Sequence, residues 1–95
     1  MEDASALARL SRVLQMLRRT MYSTPIEFAS ALGVSVSIVR LWESGEQAPT
    51  RAQTHRLWAW CNRYDCFNAS LIVVDGHLIS PDEFDGLMMA ARQGA

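Results

Sequence analysis

The chain has 95 residues, a length that fits one small domain with at most an appended element. Apolar residues make up 49% of it, which is enough for a folded core and too much for a disordered tail. No apolar run is longer than five residues, and the first residues lack the basic start of a signal peptide. We therefore expect a cytoplasmic protein that does not enter a membrane.

The net charge of −1 is the sum of two halves of opposite sign. Residues 1–64 carry a charge of +3 and residues 65–95 a charge of −4, with Arg92 as the only basic residue of the second half. All nine basic residues are arginine, whose planar fork binds phosphates and guanine edges. A GC-rich genome would produce the same preference for arginine. The charge pattern therefore permits nucleic-acid binding without requiring it.

The first predicted helix covers residues 4 to about 21. Its apolar residues recur at spacings of three and four, as in a helix with one buried face. They are Leu7, Leu10, Leu14, Leu17 and Met21. The arginines of this segment lie off the apolar stripe, where most of them are expected to be solvated.

The next segment, residues 24–45, begins with a short predicted helix. Thr24, Pro25 and Glu27 supply its N-cap, its first-turn proline and the acidic residue of a capping box. Gly33 ends this helix, because glycine tolerates the positive φ of a helix C-cap.

A second short helix begins at Ser35 and ends at Gly45, and Val39 and Trp42 mark its inward face. Two short helices joined by a turn of about three or four residues that contains glycine make a helix-turn-helix. The second helix of such a motif can enter the major groove of DNA.

The order of Ala29, Gly33, Val39, the sequence Trp-Glu-Ser-Gly at 42–45 and Pro49 resembles a known family. The family that this order resembles is that of the Cro/phage-repressor-like helix-turn-helix proteins, also called the xenobiotic-response-element type. The resemblance covers residues 12–64, about half of the chain. It implies a sequence-specific DNA-binding regulator of transcription.

By this resemblance Val36, Ser37 and Leu41 approach base edges, and Arg40 lies beside them. Arg40 can fork onto a guanine, and the two apolar side chains can contact thymine methyl groups. In the family, the loop after the second helix and the start of the next one clamp the DNA backbone. The candidate DNA-binding residues are Thr24, Ser35, Val36, Ser37, Arg40, Leu41, Ser44, Gln47 and Arg51, of which Ser44, Gln47 and Arg51 are phosphate candidates.

The chain departs from the family pattern at three positions. Val36 and Leu41 are apolar where polar residues are usual, and Pro25 replaces a frequent phosphate-binding glutamine. These departures leave open a surface that meets protein instead of DNA. The resemblance also implies a structural ion pair between Arg18 in the first helix and Glu43.

A fourth helix is predicted from Pro49 or Thr50 to about Tyr64. Its predicted apolar stripe is Leu57, Trp58, Cys61 and Tyr64. Arg56 and Arg63 are expected to be solvated.

After a link at residues 65–69, the runs 71–74 and 77–79 flank Asp75-Gly76, a strong signal for a hairpin with a type I′ turn. Residues 80–83 repeat the capping pattern and begin a last helix.

An isolated two-stranded ribbon is marginally stable and has exposed edges. We predict that this ββα extension builds a homodimer, for which a four-stranded intermolecular sheet is one arrangement. The candidate dimerisation residues are Leu71, Ile72, Val73, Val74, Leu78 and Ile79; the alternative is an intrachain addition packed against the fourth helix.

Metal and catalytic motifs are not predicted. Cys61 and Cys66 are five positions apart, and His55 and His77 are the only histidines, so the spacings of a zinc site are missing. The acidic residues at 82, 83 and 85 fit helix capping. We predict no enzyme activity, no metal and no cofactor.

The sequence thus predicts a mainly α protein: a four- to five-helix repressor-like helix-turn-helix domain at residues 1–65 and a ββα extension at residues 66–95. The expected function is that of a homodimeric repressor or autorepressor at a phage, plasmid or other mobile-element promoter, bound to an inverted-repeat operator in double-stranded DNA. The alternative is an antitoxin or an anti-activator. It would bind a toxin or activator protein through the extension or through the apolar face of the second motif helix.

Overall fold

The computed structural model describes residues 5–21, 24–64, 72–74 and 76–94. Within these ranges the chain forms five helices and one two-stranded antiparallel sheet, so the predicted mainly α class is confirmed. In chain order the elements are α1 Ala6–Thr20, α2 Pro25–Leu32, α3 Val36–Glu43, α4 Arg51–Tyr64, β1 Val73–Val74, β2 His77–Leu78 and α5 Pro81–Gly94.

Short polar side chains begin the helices. Ser5 caps α1 by accepting the Ala8 N–H, and Thr24 and Glu27 form the predicted capping box of α2. Thr50 and Gln53 form a second capping box at the start of α4. Each of these side chains satisfies a backbone N–H that the first turn of a helix leaves unpaired.

One hydrophobic core joins all five helices and extends under the hairpin. From α1 to α4 it contains Leu10, Val13, Leu14, Leu17, Phe28, Ala29, Leu32, Val39, Trp42, Leu57, Trp60 and Cys61. The C-terminal extension adds Ile72, Ile79, Phe84, Met88 and Ala91 to the same cluster. The extension therefore shares its core with the first four helices.

The position of α5 matches the alternative of an intrachain addition only in part, because α1 and not α4 is its main neighbour. This helix packs mainly along α1, and it also contacts α4. The Trp58 and Phe84 rings meet edge to face with centroids 5.4 Å apart, and Trp58 Nε1 donates to Asp85 Oδ1 at 3.3 Å. Asp85 therefore takes part in a tertiary contact beyond helix capping.

The hairpin is shorter than predicted, with Val73 opposite Leu78 and Val74 opposite His77. Gly76 has a φ of 77°, as a tight turn requires, while Leu71 and Asp75 lie outside the described residues. Two of the candidate dimerisation residues, Ile72 and Ile79, are buried in the chain's own core. The face of the hairpin that carries these two side chains is covered by the same chain, so neither side chain is exposed for contact with a second copy.

Two expectations for α4 are also corrected. Trp60 is buried, with its ring centroid 4.9 Å from that of Phe28, whereas Tyr64 is exposed. The packing of α2 against α4 moves the buried stripe toward Trp60. Arg56 is not simply solvated, because its Nη1 donates to the Leu32 carbonyl oxygen at 3.1 Å and so caps α2.

None of the described helices is by itself long and apolar enough to cross a membrane. The pair α2 and α3 reaches that length and composition only when taken together, with a bend of 114° between them.

Candidate nucleic-acid interface

The turn between α2 and α3 is built on Gly33. Its φ of 73° lies in the left-handed region, and its N–H and that of Val34 donate to the Ser30 and Ala29 carbonyls. A Cβ at Gly33 would also collide with the guanidinium of Arg56, which caps the same helix end. The left-handed backbone conformation therefore favours glycine here, and any other residue would in addition have to displace the Arg56 guanidinium.

The inward face of α3 is the one predicted. Val39 and Trp42 are buried in the core. Ser35 begins the helix by accepting the Ile38 N–H on its hydroxyl oxygen at 3.3 Å. Within the described part of the chain, the buried Nε1–H of Trp42 has no hydrogen-bond partner.

The outward face of α3 and its N-cap carry three exposed candidates. Ser35, Ser37 and Arg40 are exposed, whereas Val36 and Leu41 are only half-buried. Val36 packs against the edge of the core, so less apolar surface faces outward than the sequence suggests. Among the described residues, no carboxylate forms an ion pair with Arg40.

The end of α3 is held by α1 through Glu43. Arg18 donates twice to its carboxylate, Nε to Oε2 at 2.7 Å and Nη2 to Oε1 at 2.9 Å. Gln15 Nε2 donates to the Glu43 carbonyl oxygen at 2.8 Å. The Arg18–Glu43 pair is the one that the family resemblance implies. The Gln15 contact was missed, since nothing in the local pattern shows which carbonyl this side chain reaches.

The segment after α3 carries the phosphate candidates, and they differ in environment. The Ser44 hydroxyl lies 2.7 Å from Glu46 Oε2, whose negative charge disfavours a nearby phosphate. Gln47 is half-buried, and its N–H donates to the Leu41 carbonyl. Arg51 is exposed at the start of α4 and has no carboxylate partner in the described ranges. Arg51 is therefore the strongest phosphate candidate of the three.

Thr24 stands apart from the other candidates. It caps α2 with its hydroxyl oxygen, which accepts the Glu27 N–H at 3.1 Å, and it remains exposed. The other eight candidates lie on the continuous segment 35–51.

The described residues contain no group of three or more histidine, cysteine, aspartate or glutamate side chains that could hold a metal ion. Cys61 is buried in the core, and Cys66 lies outside the described residues.

No family model, curated protein or solved structure matches the chain. The case for a function therefore depends on the residues and geometry of α1 to α4.

Proposed function

We propose that the protein is a sequence-specific DNA-binding regulator of transcription of the Cro/phage-repressor-like helix-turn-helix kind. The observation that carries the proposal is the pair α2 and α3, each eight residues long, joined at Gly33 and bent by 114°. Helix-turn-helix motifs join two helices at about 90–120° through a turn of three or four residues. In this proposal α3 is the recognition helix.

The exposed face of α3 supports this assignment. A recognition helix needs donors that are free to meet base edges, and Arg40 and Ser37 are exposed there. An arginine without a protein carboxylate keeps its fork available for a guanine. Arg51, after the following loop, supplies a positive charge for the backbone.

The contacts of Glu43 support the proposal in a second way. A base contact works only if the helix is held at a fixed height and angle over the groove. Arg18 and Gln15 both hold the last residue of α3 against α1. The recognition helix would therefore enter DNA as part of a rigid unit.

Action as a homodimer is part of the proposal. Two recognition helices about 34 Å apart would meet successive major grooves of an inverted repeat. The outer face of the hairpin offers an apolar contact, since Val73 and Leu78 lie opposite each other and are 41% and 51% exposed. Such a dimer would repress by covering a promoter, including its own, in a phage, plasmid or other mobile element.

A mobility-shift experiment tests the DNA proposal. The purified protein is titrated onto the DNA upstream of its own gene, at about 150 mM salt and with competitor DNA. The proposal expects a discrete complex that Arg40→Ala weakens and Arg63→Ala leaves unchanged. Arg63 is a matched control, because it is an exposed arginine in the last turn of α4. A folded protein that forms no specific complex, on this DNA or on any sequence selected from a random pool, overturns the proposal.

The exposed Val73 and Leu78 pair also favours a second candidate, an antitoxin or anti-activator that binds another protein. The variant Leu78→Lys distinguishes the two candidate functions, because each of them predicts the loss of a different interaction. Leu78→Lys would abolish capture of a toxin or activator partner in the second case. In the first case it would abolish self-association.

A further inference from the structure

Arg92 is the only basic residue in the acidic half of the chain, and the structure brings it to α4. Its Nη1 donates to Thr54 Oγ1 at 2.7 Å. Thr54 is buried, and its own hydroxyl donates to the Thr50 carbonyl oxygen at 2.9 Å. The guanidinium of Arg92 thus lies against the first turns of α4.

The direction of α5 explains how Arg92 reaches this place. Trp58 contacts Asp85 early in α5, and Thr54 contacts Arg92 late in it. The contacts run in opposite order along the two helices, so the C-terminal end of α5 lies beside the N-terminal end of α4. Arg51, a candidate phosphate contact, is only about 4.5 Å from Thr54 along the α4 axis.

The charge of Arg92 has no counter-charge among the described residues. It is half-buried, and no carboxylate there forms an ion pair with it, unlike Arg18 with Glu43. Arginine has five N–H donors, of which the contact with Thr54 engages one. A half-buried cation that has no carboxylate partner in the described ranges is stabilised by an anion, and DNA phosphates would supply one beside α4.

We propose that Arg92 binds a backbone phosphate, so that the C-terminal extension forms part of the DNA-binding surface. This inference rests on the proposed function. It assigns the extension a role on DNA in addition to any role in self-association. A phosphate contact carries no sequence information, so Arg92 acts equally on specific and non-specific duplexes.

The test compares Arg92→Gln with Arg63→Gln, which removes the same charge from the far end of α4. Fluorescence anisotropy gives Kd for the operator and for a scrambled duplex between 50 and 200 mM salt. The slope of the logarithm of the binding constant K against the logarithm of the salt concentration is negative. Loss of one phosphate contact makes this slope less steep by about 0.9 for each bound protomer. We expect Arg92→Gln to bind both duplexes more weakly. Its deficit relative to the wild type should shrink by about three- to fourfold per protomer over this salt range. Arg63→Gln should behave as the wild type does.

Two further variants separate a phosphate contact from a structural role. Arg92→Lys keeps the positive charge and should keep the wild-type slope of log K against log salt. Thr54→Val removes the hydrogen bond to Arg92 but leaves the charge of Arg92 in place. Circular dichroism checks folding, and Arg92→Met replaces Arg92→Gln if the latter unfolds, since it keeps the apolar stem.

A wild-type slope in folded Arg92→Gln or Arg92→Met overturns the inference and leaves the DNA proposal intact. An equal slope change in Arg63→Gln also overturns it, because the effect would then come from net charge. A wild-type protein that binds no specific DNA overturns the proposed function, and the role of Arg92 with it.

Discussion

Arg18 and Glu43, 25 positions apart in the chain, form a two-pronged ion pair that joins α1 to the end of α3. Their side chains are only 14% and 13% exposed, so water screens the pair weakly. Removing one partner of such a pair leaves the other charge largely buried and unpaired.

We therefore predict that Arg18→Ala destabilises the fold by about 3–5 kcal/mol, which is a large part of the stability of a small domain. Urea unfolding followed by circular dichroism measures the change. Arg19→Ala is the control, because Arg19 is the exposed neighbour on the same helix and should shift the midpoint little. A well-folded Arg18→Ala protein that has lost only DNA affinity would contradict a structural role for the pair.

For Gln15, which also joins α1 to Glu43, a smaller loss of stability is predicted. Its amide is the side-chain donor to the Glu43 carbonyl, so Gln15→Ala should cost about 1 kcal/mol of stability. Gln93→Ala, at an exposed position on α5, serves as the control in the same unfolding experiment. Equal urea midpoints for Gln15→Ala and Gln93→Ala would show that water replaces the hydrogen bond of the Gln15 amide without a loss of stability.

Trp42 is predicted to act through packing. Trp42→Ala should cost roughly 3–5 kcal/mol, because it leaves a large cavity in the core. Trp42→Phe should cost clearly less, since it fills most of that space and removes an N–H that has no partner in the described chain. Thermal unfolding of both variants tests this order. A Trp42→Ala protein that folds normally but fails to bind DNA would contradict the inward orientation.

Arg40 is predicted to recognise a base. Arg40→Ala should weaken specific binding by about 1–3 kcal/mol and relax the preference at one base position. Selection of sequences from a random pool by both proteins measures the preference directly. Unchanged affinity and preference would exclude Arg40 from the recognition set, and an equal loss on every sequence would identify it as a phosphate contact.

The local features of this fold could be predicted from the sequence, because short-range chemistry determines them. Thr24 with Glu27 begins α2, Gly33 ends it, and Gly76 marks the hairpin turn, each through hydrogen bonds or backbone angles within a few residues. Val39 and Trp42 followed from helical spacing alone.

The long-range features could not be predicted in this way. Gln15 meets Glu43 across 28 positions, and Arg56 caps a helix that ends 24 positions earlier. Helical periodicity does not show which neighbour covers which side of α4, so it did not distinguish Trp60 from Tyr64. The same limit applies to Ile72 and Ile79, since alternation separates the two faces of a hairpin without telling which one the chain itself covers.

The hairpin's outer face gives the last prediction, on self-association. Val73 and Leu78 form an exposed cross-strand apolar pair, and no third strand pairs with this sheet among the described residues, so a second copy can extend it. We expect sedimentation at tens of micromolar to give twice the 10.6 kDa of one chain.

Leu78→Lys should return the protein to the monomer mass without unfolding it, because Leu78 is 51% exposed. Met89→Lys places the same charge at a 47% exposed apolar position on α5 and should leave the dimer intact. A wild-type mass of one chain would exclude this dimer, and an equal effect of both lysine variants would show that the contact does not lie on the hairpin.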